Sequence, residues 1–204
     1  MTEKNYTGVI PEQHTGTPID AEASENLPTE AEAKSLYASA KNKLQHVNEW
    51  HKYAGALSAK FQLVDQNGNE VERTAQKGDY FKIDIPGPGT VSGDGYDWVQ
   101  IEDLQETSTG EVESFGLRVR PAKNPLNKNT DTAHFYSEES TSSFTVTREG
   151  TTVTAAIYDR NTKANTDANS IVDKVRDAVV GSSGIMAFSK VQWKALSQAL
   201  LKVD

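Results

Sequence analysis

The sequence predicts an α+β fold: an antiparallel six- to seven-stranded sheet, curled or barrel-like, flanked by one N-terminal and two C-terminal helices. Three observations predict it. Apolar residues recur at helical spacing only near the two ends of the chain. Period-two alternation fills the middle. The strand-like runs follow one another at hairpin spacing, without the interposed helices that a parallel sheet needs.

Taken in order, residues 1–28 carry Pro11, Pro18 and Pro28 and no apolar period, so they are expected to form a flexible acidic tail; residues 29–204 are expected to fold as a single α+β domain. Thr29-Glu-Ala-Glu32 is a capping box. Ala33, Leu36, Tyr37, Ala40, Leu44, Val47 and Trp50 then fall on one helical face, predicting a helix of about twenty residues that ends before Gly55. Leu57, Ala59, Phe61 and Leu63 begin the β-block, with a turn at Asp65-Gln-Asn-Gly68. Phe81, Ile83 and Ile85 follow, then Trp98, Val99 and Ile101, then Phe115, Leu117 and Val119. Phe144 and Val146 precede a turn at Glu149-Gly150, and Val153, Ala155 and Ile157 come after it. Ala133–Tyr136 is a candidate extra strand. Ile171, Val172, Val175, Ala178 and Val179 predict a first C-terminal helix stopped by Gly181. Ser189 and Gln192 predict the capped start of a second, with Trp193, Leu196, Leu200 and Val203 on its apolar face.

The 204 residues can bury a sizeable core without disulfides. Zero cysteines exclude a thiol nucleophile and thiolate metal sites. A formal charge of -8 argues against generic binding to nucleic acid or to an anionic membrane surface, and no apolar run approaches a membrane span. The N-terminus shows no apolar signal segment, which predicts a cytoplasmic protein. Charge is uneven. Residues 1–113 hold nine Lys and Arg against twenty Asp and Glu, while the remaining residues are mildly basic.

The catalytic templates fail one by one. Gly87-Pro-Gly89-Thr-Val-Ser92 nears a dinucleotide fingerprint, but a strand pattern follows where a helix must open. Asp94, Asp97, Glu102 and Asp103 lack the spacing of a calcium loop. Asp84 and Glu102 alternate out of phase with the core, as solvent-facing carboxylates do. His46 and His51 are five residues apart, too far round a helix to share a metal. No serine sits in a nucleophile elbow. No metal or cofactor is expected.

One basic constellation survives. Arg118 and Arg120 share a strand face, Arg148 and Arg160 end later strands, and His134 lies between. If those strands neighbour one another, several guanidinium groups can converge on a carboxylate or phosphate. The competing expectation pairs them with Asp159, Glu138, Glu139 or Glu113. The segment from Lys77-Gly-Asp-Tyr-Phe-Lys-Ile83 to Asp97-Trp-Val-Gln-Ile101 is similar to bacterial SH3-like domains, a resemblance that implies a small-barrel binding module.

Together these features predict a non-catalytic binding protein, an adaptor or accessory subunit acting through a protein partner. Two alternatives stand beside it. One is a hydrolase-type enzyme using His134 with Arg118 or Arg120. The other is a small-molecule sensor whose β-block encloses a ligand.

Overall fold

In the computed structural model, seven strands form one antiparallel sheet, with helices packed across one of its faces. The structure describes residues 3–55, 59–85, 90, 92–128, 131–165 and 171–203; for 171–185 it describes the backbone. The strands are β1 (Ile19–Asn26), β2 (Lys60–Val64), β3 (Tyr80–Asp84), β4 (Asp97–Ser108), β5 (Val112–Pro121), β6 (Thr141–Glu149) and β7 (Thr152–Arg160). The helices are α1 (Glu30–Gln45), the short α2 (Trp50–Ala54) and α3 (Ile171–Leu200). The sheet order is β1-β7-β6-β5-β4-β3-β2. Six strands run as an up-and-down meander, and β1 joins its far side, so the first strand of the chain pairs with the last. β1 and β2 are both edges, and the sheet is open rather than closed into a barrel. The segment with SH3-like resemblance supplies β3 and the start of β4 within this one sheet.

The expected flexible tail requires correction. Residues 19–26 are β1, in register with β7 from Ile19↔Asp159 to Asn26↔Thr152. Val9 and Ile10 are buried, 0% and 4% exposed, against Ala156 and Tyr158 of β7. The period was missed because β1 reads Ile-Asp-Ala-Glu-Ala-Ser-Glu-Asn, in which small alanines stand for the apolar half of the alternation. Alanine carries too little apolar surface to mark a strand by itself.

Thr29 caps α1 as the sequence predicts. Its hydroxyl accepts from the Glu32 N–H at 3.2 Å. It also donates to the Glu32 carboxylate at 2.8 Å. The expected twenty-residue helix is broken at His46 into α1, a 3-10 turn over Val47–Glu49, and α2. The break lets the Trp50 indole donate back to the Leu44 carbonyl at 3.1 Å, which satisfies its one polar atom in the core. The two C-terminal helices are one. α3 runs unbroken through Gly181 and Gly184, since a helical glycine costs only ~1 kcal/mol against alanine and neither is followed by proline. The side chains of the stripe Ile171–Val179 lie outside the described residues, as does Leu57.

The helix-covered face holds the main core. Phe115, Leu117 and Val119 of β5, Phe144 and Val146 of β6, and Val153, Ala155 and Ile157 of β7 meet Leu36, Ala40 and Leu44 of α1 and Leu196 and Leu200 of α3. Trp50 fills its centre, with ring centroids 5.2 Å from Phe61, 5.6 Å from Phe81 and 4.9 Å from Phe144. Trp193 of α3 meets Phe144 edge-on at 5.2 Å. No described helix is long and apolar enough to cross a membrane.

Candidate functional site

The other face of the sheet is crossed by residues 3–17, which run over β5, β6 and β7 as a strap. Asn5 holds the strap's own turn, bonding Ile10 N and O at 3.1 and 2.8 Å. The Lys4 ammonium reaches Glu149 at 2.5 Å and Thr154 at 3.0 Å. At the far end Asn161, with φ at 57°, accepts from His14 N–H at 2.8 Å and Thr15 N–H at 3.1 Å. A β-carbon on Gly116 would meet Val9 Cγ2 at 2.7 Å and Thr7 Oγ1 at 2.8 Å, so glycine is what allows the strap to lie flat on β5.

Three of the four arginines that the sequence singles out, Arg118, Arg120 and Arg160, lie on the strap side of the sheet. Arg118 and Arg120 do come together, on a single carboxylate. A bulge between Ile101 and Asp103 turns Glu102 out to them. Arg118 Nε donates to Glu102 Oε1, and Arg120 donates to the same carboxylate at 2.7 and 3.1 Å. Burial pushes the Glu102 carboxyl up, but the two guanidinium groups outweigh it and hold it below its usual range. Arg118 also donates to the Val9 carbonyl at 3.0 Å, and Arg120 to the Glu138 carbonyl at 2.7 Å.

The remaining two arginines do not join them. Arg160 lies on the strap side of β7, donating to Glu3 at 2.7 Å and Asp20 at 2.6 Å. Arg148 alternates in phase with Phe144 and Val146, on the helix-covered face and at the opposite end of the strands. It is fully buried, with Glu113 at 2.6 Å, the Gly150 carbonyl at 2.8 Å and the Gly110 carbonyl at 2.9 Å. Of the several guanidinium groups that neighbouring strands could bring together, only Arg118 and Arg120 meet.

His134 sits in the loop before β6, its ring stacked on Phe135 at 4.2 Å. Its Nδ1 accepts from the Tyr136 N–H at 2.9 Å, a local turn bond. Ala133–Tyr136 is not a strand. It is fixed by Trp98 N–H donating to the Ala133 carbonyl at 2.7 Å and by one bridge between Tyr136 and Ala164. Asp94 accepts from Asn124 at 2.9 Å and Asn127 at 3.1 Å, tying the glycine-rich loop to the loop that follows β5. Pro86–Gly89 and Val91 lie outside the described residues. Among the described residues no group of three potential metal ligands gathers. Asp84 stands opposite Lys60 in the β2–β3 register, while Glu102 lies in the β4 bulge.

The site that sequence reasoning missed lies under α3. Asp159, the last inward-facing residue of β7, is 1% exposed. Its Oδ2 accepts from the Trp193 indole at 2.9 Å. Among the described residues its Oδ1 and the Tyr136 hydroxyl are buried without a close hydrogen bond, though Ser142 adjoins the carboxylate and Ser189 of α3 adjoins the phenol. Burial pushes the Asp159 carboxyl up to about 6, against the pull of Ser142, Trp193 and the Arg160 charge. Burial also raises the Tyr136 phenol, and the Asp159 charge adds to it. A groove of about 240 Å³ runs between the start of β1 and α3, lined by Thr17, Pro18, Ile19, Asp20, Met186, Ala187 and Lys190. Ile19, in its wall, is the register partner of Asp159. In sequence Asp159 was visible only as an acid next to Arg160, and nothing local marks it as buried.

No protein-family model matches the chain, and no curated protein matches it. Solved structures resemble it in outline. A hypothetical protein, jhp0584 from Helicobacter pylori, is 12% identical, with 97% of this chain and 98% of that chain covered at a TM-score of 0.49. Protein Ms6760 from Mycobacterium smegmatis is 17% identical, with 92% and 91% covered at a TM-score of 0.39.

Proposed function

We propose that this is a non-catalytic binding protein that receives a small polar molecule between its sheet and α3, at Asp159 and Tyr136. The observation that carries this reading is the buried Asp159 oxygen that has no close hydrogen bond among the described residues. Leaving a buried charged acceptor unmet costs more than most surface contacts return, and such groups are ordinarily matched by a partner. The basic residues that favoured an enzyme or an anion site are instead engaged within the fold, Arg118 and Arg120 by Glu102 and Arg160 by Glu3 and Asp20.

The Trp193 indole is bonded to the same carboxylate, so its N–H resonance reports on the site. A panel of small hydrogen-bonding molecules is expected to shift that resonance in the wild-type protein, while the Trp50 and Trp98 indoles stay in place. A panel that leaves Trp193 unmoved sinks the reading.

A second reading keeps the adaptor role, through the open side of β1. This eight-residue strand pairs with β7 alone, and an extended peptide could add to its free edge. Backbone amide protection along β1 that rises when a partner is added would support it; unchanged protection would remove it.

A further inference from the structure

We infer that the free edge of β1 receives an extended peptide in which lysine or arginine alternates with apolar residues, an inference that rests on the strand-addition reading above and names the chemistry of the partner. The register shows which groups the edge offers. The Leu27 N–H donates to the Thr151 carbonyl at 2.9 Å, so the hydrogen-bonded rows of the β1–β7 pair fall on the odd residues of β1. Asp20, Glu22, Ser24 and Asn26 therefore turn their N–H and C=O groups away from β7. Among the described residues no backbone group meets them. β1 keeps an unbroken register over its eight residues, whereas edge strands are ordinarily shortened, bulged or covered.

Charge sets the class of partner on the strap side, where the same four residues carry their side chains. The cations that reach this row are Arg160, bonded to Asp20 and Glu3, and Lys4, bonded to Glu149 and to Thr154 beside Ser24. Both are already ion-paired, and Glu22 adds a carboxylate beyond them. Its Oε2 is buried with no hydrogen bond among the described residues. Residues directly opposite in paired strands share a face, where opposite charges attract and like charges repel. A lysine or arginine of an added strand set against Glu22 brings that carboxylate both a counter-charge and N–H donors. A second copy of this chain would bring its own Asp20 and Glu22 to the row and set like charge against like. The helix side differs. A groove of about 580 Å³ lies between residues 22–25 and the end of α3. Ala23, Leu201 and Val203 give it an apolar wall, and Val203 is 82% exposed. Glu25 and Lys202 line it with one charge of each sign, so its described residues hold no excess of carboxylate. A strand that presents basic side chains to one face and apolar side chains to the other fits both.

The test follows backbone amide exchange in the full-length wild-type chain at neutral pH and low ionic strength. The probes are capped peptides of three Lys-Val, three Gln-Val or three Glu-Val repeats, and a block peptide of three lysines followed by three valines. The Lys-Val peptide is expected to slow exchange saturably at Asp20, Glu22, Ser24 and Asn26, while Ala21, Ala23 and Glu25, already bonded to β7, change little. The Gln-Val and block peptides should each bind about tenfold more weakly, which is ~1.4 kcal/mol, and the Glu-Val peptide should leave exchange unchanged. Added salt should narrow the gap between the Lys-Val and Gln-Val peptides. Glu22→Gln should weaken the Lys-Val peptide about tenfold and leave the Gln-Val peptide as it was. Equal protection by the Lys-Val, Gln-Val and Glu-Val peptides would overturn the basic class while leaving strand addition standing. No protection by any peptide would overturn both. Protection of the same amides that rises with protein concentration and needs no peptide would assign the edge to a second copy and overturn the proposal.

Discussion

The two faces of the sheet are covered by different means. On one face, α1, α2 and α3 press apolar side chains onto Phe115, Leu117, Phe144, Val146 and Ile157, and the contact is dispersion and burial. On the other, a strap of irregular backbone lies across β5–β7. Besides Val9 and Ile10 it is fixed by directed bonds: Arg118 to the Val9 carbonyl, Ser143 to the same carbonyl at 3.0 Å, Lys4 to Glu149, and Asn161 to His14 and Thr15. Helices satisfy their own backbone, so they can cover a sheet with apolar side chains alone. A strap cannot, and its carbonyl and N–H groups must be met by side chains that the sheet and its loops supply. That is why the outer face of β5 carries Arg118 and why β6 carries Ser143.

Removing residues 1–26 is the strongest way to break this comparison. It deletes β1, the strap and the burial of Val9, Ile10 and Ile19, at about 1.5–3 kcal/mol each. The loss is comparable with the whole stability of an ordinary domain, about 5–15 kcal/mol, so a chain starting at Leu27 is expected to be insoluble or unfolded by circular dichroism. A chain starting at Thr17 keeps β1 and should fold with a lower melting temperature. If both truncations melt like the full chain, the strap is not part of the fold.

On the helix-covered face, Leu196→Ala is expected to cost about 2–5 kcal/mol in chemical denaturation, because Leu196 is 1% exposed within the main core. A melting curve unchanged from wild type would show α3 to be loosely held.

Asp159 sharpens the contrast, being a carboxyl on the apolar side. Its midpoint rises from 3.8 to about 6 on folding, so the folded state binds the proton more tightly. Its contribution to stability is full below pH 4 and is lost as pH rises through about 6. Asp159→Asn should therefore stabilise the protein at pH 7.5 by roughly 3 kcal/mol, from ~1.36 kcal/mol per unit. The gain should vanish near pH 4. Glu102 and Glu149 lie below their usual range and slope the other way, so the comparison must be the difference between variant and wild type across pH. A difference that does not change with pH would mean that Asp159 is not desolvated.

Gly116→Ala carries the smallest expected effect, about 1–3 kcal/mol, from crowding of the strap at Val9 and Thr7. The added methyl should be tolerated better in a Val9→Ala background, and a double-mutant cycle with no coupling would show that the strap can lift freely.

The sequence by itself determined the elements whose side chains repeat. Phe61 and Leu63, Phe115 to Val119, Phe144 and Val146, and Val153 to Ile157 alternate because one face of each strand is apolar, and α1 is marked by Thr29 and its stripe through Leu44. These signals need only the residue's own neighbours in the chain. Three things needed the tertiary structure. β1 became a strand because β7 offered an edge in register, although its alanines signal little alone. α3 runs whole through Gly181, because the ~1 kcal/mol cost of one helical glycine is small enough for tertiary packing to override. The partners of Arg118, Arg148 and Arg160 were fixed by strand order and by the strap, which place Glu102, Glu113 and Glu3 within reach. The burial of Asp159 is of the same kind. A strand's phase fixes which face a side chain takes, but whether that face is dry at that row depends on α3, which lies farther along the chain and packs over it.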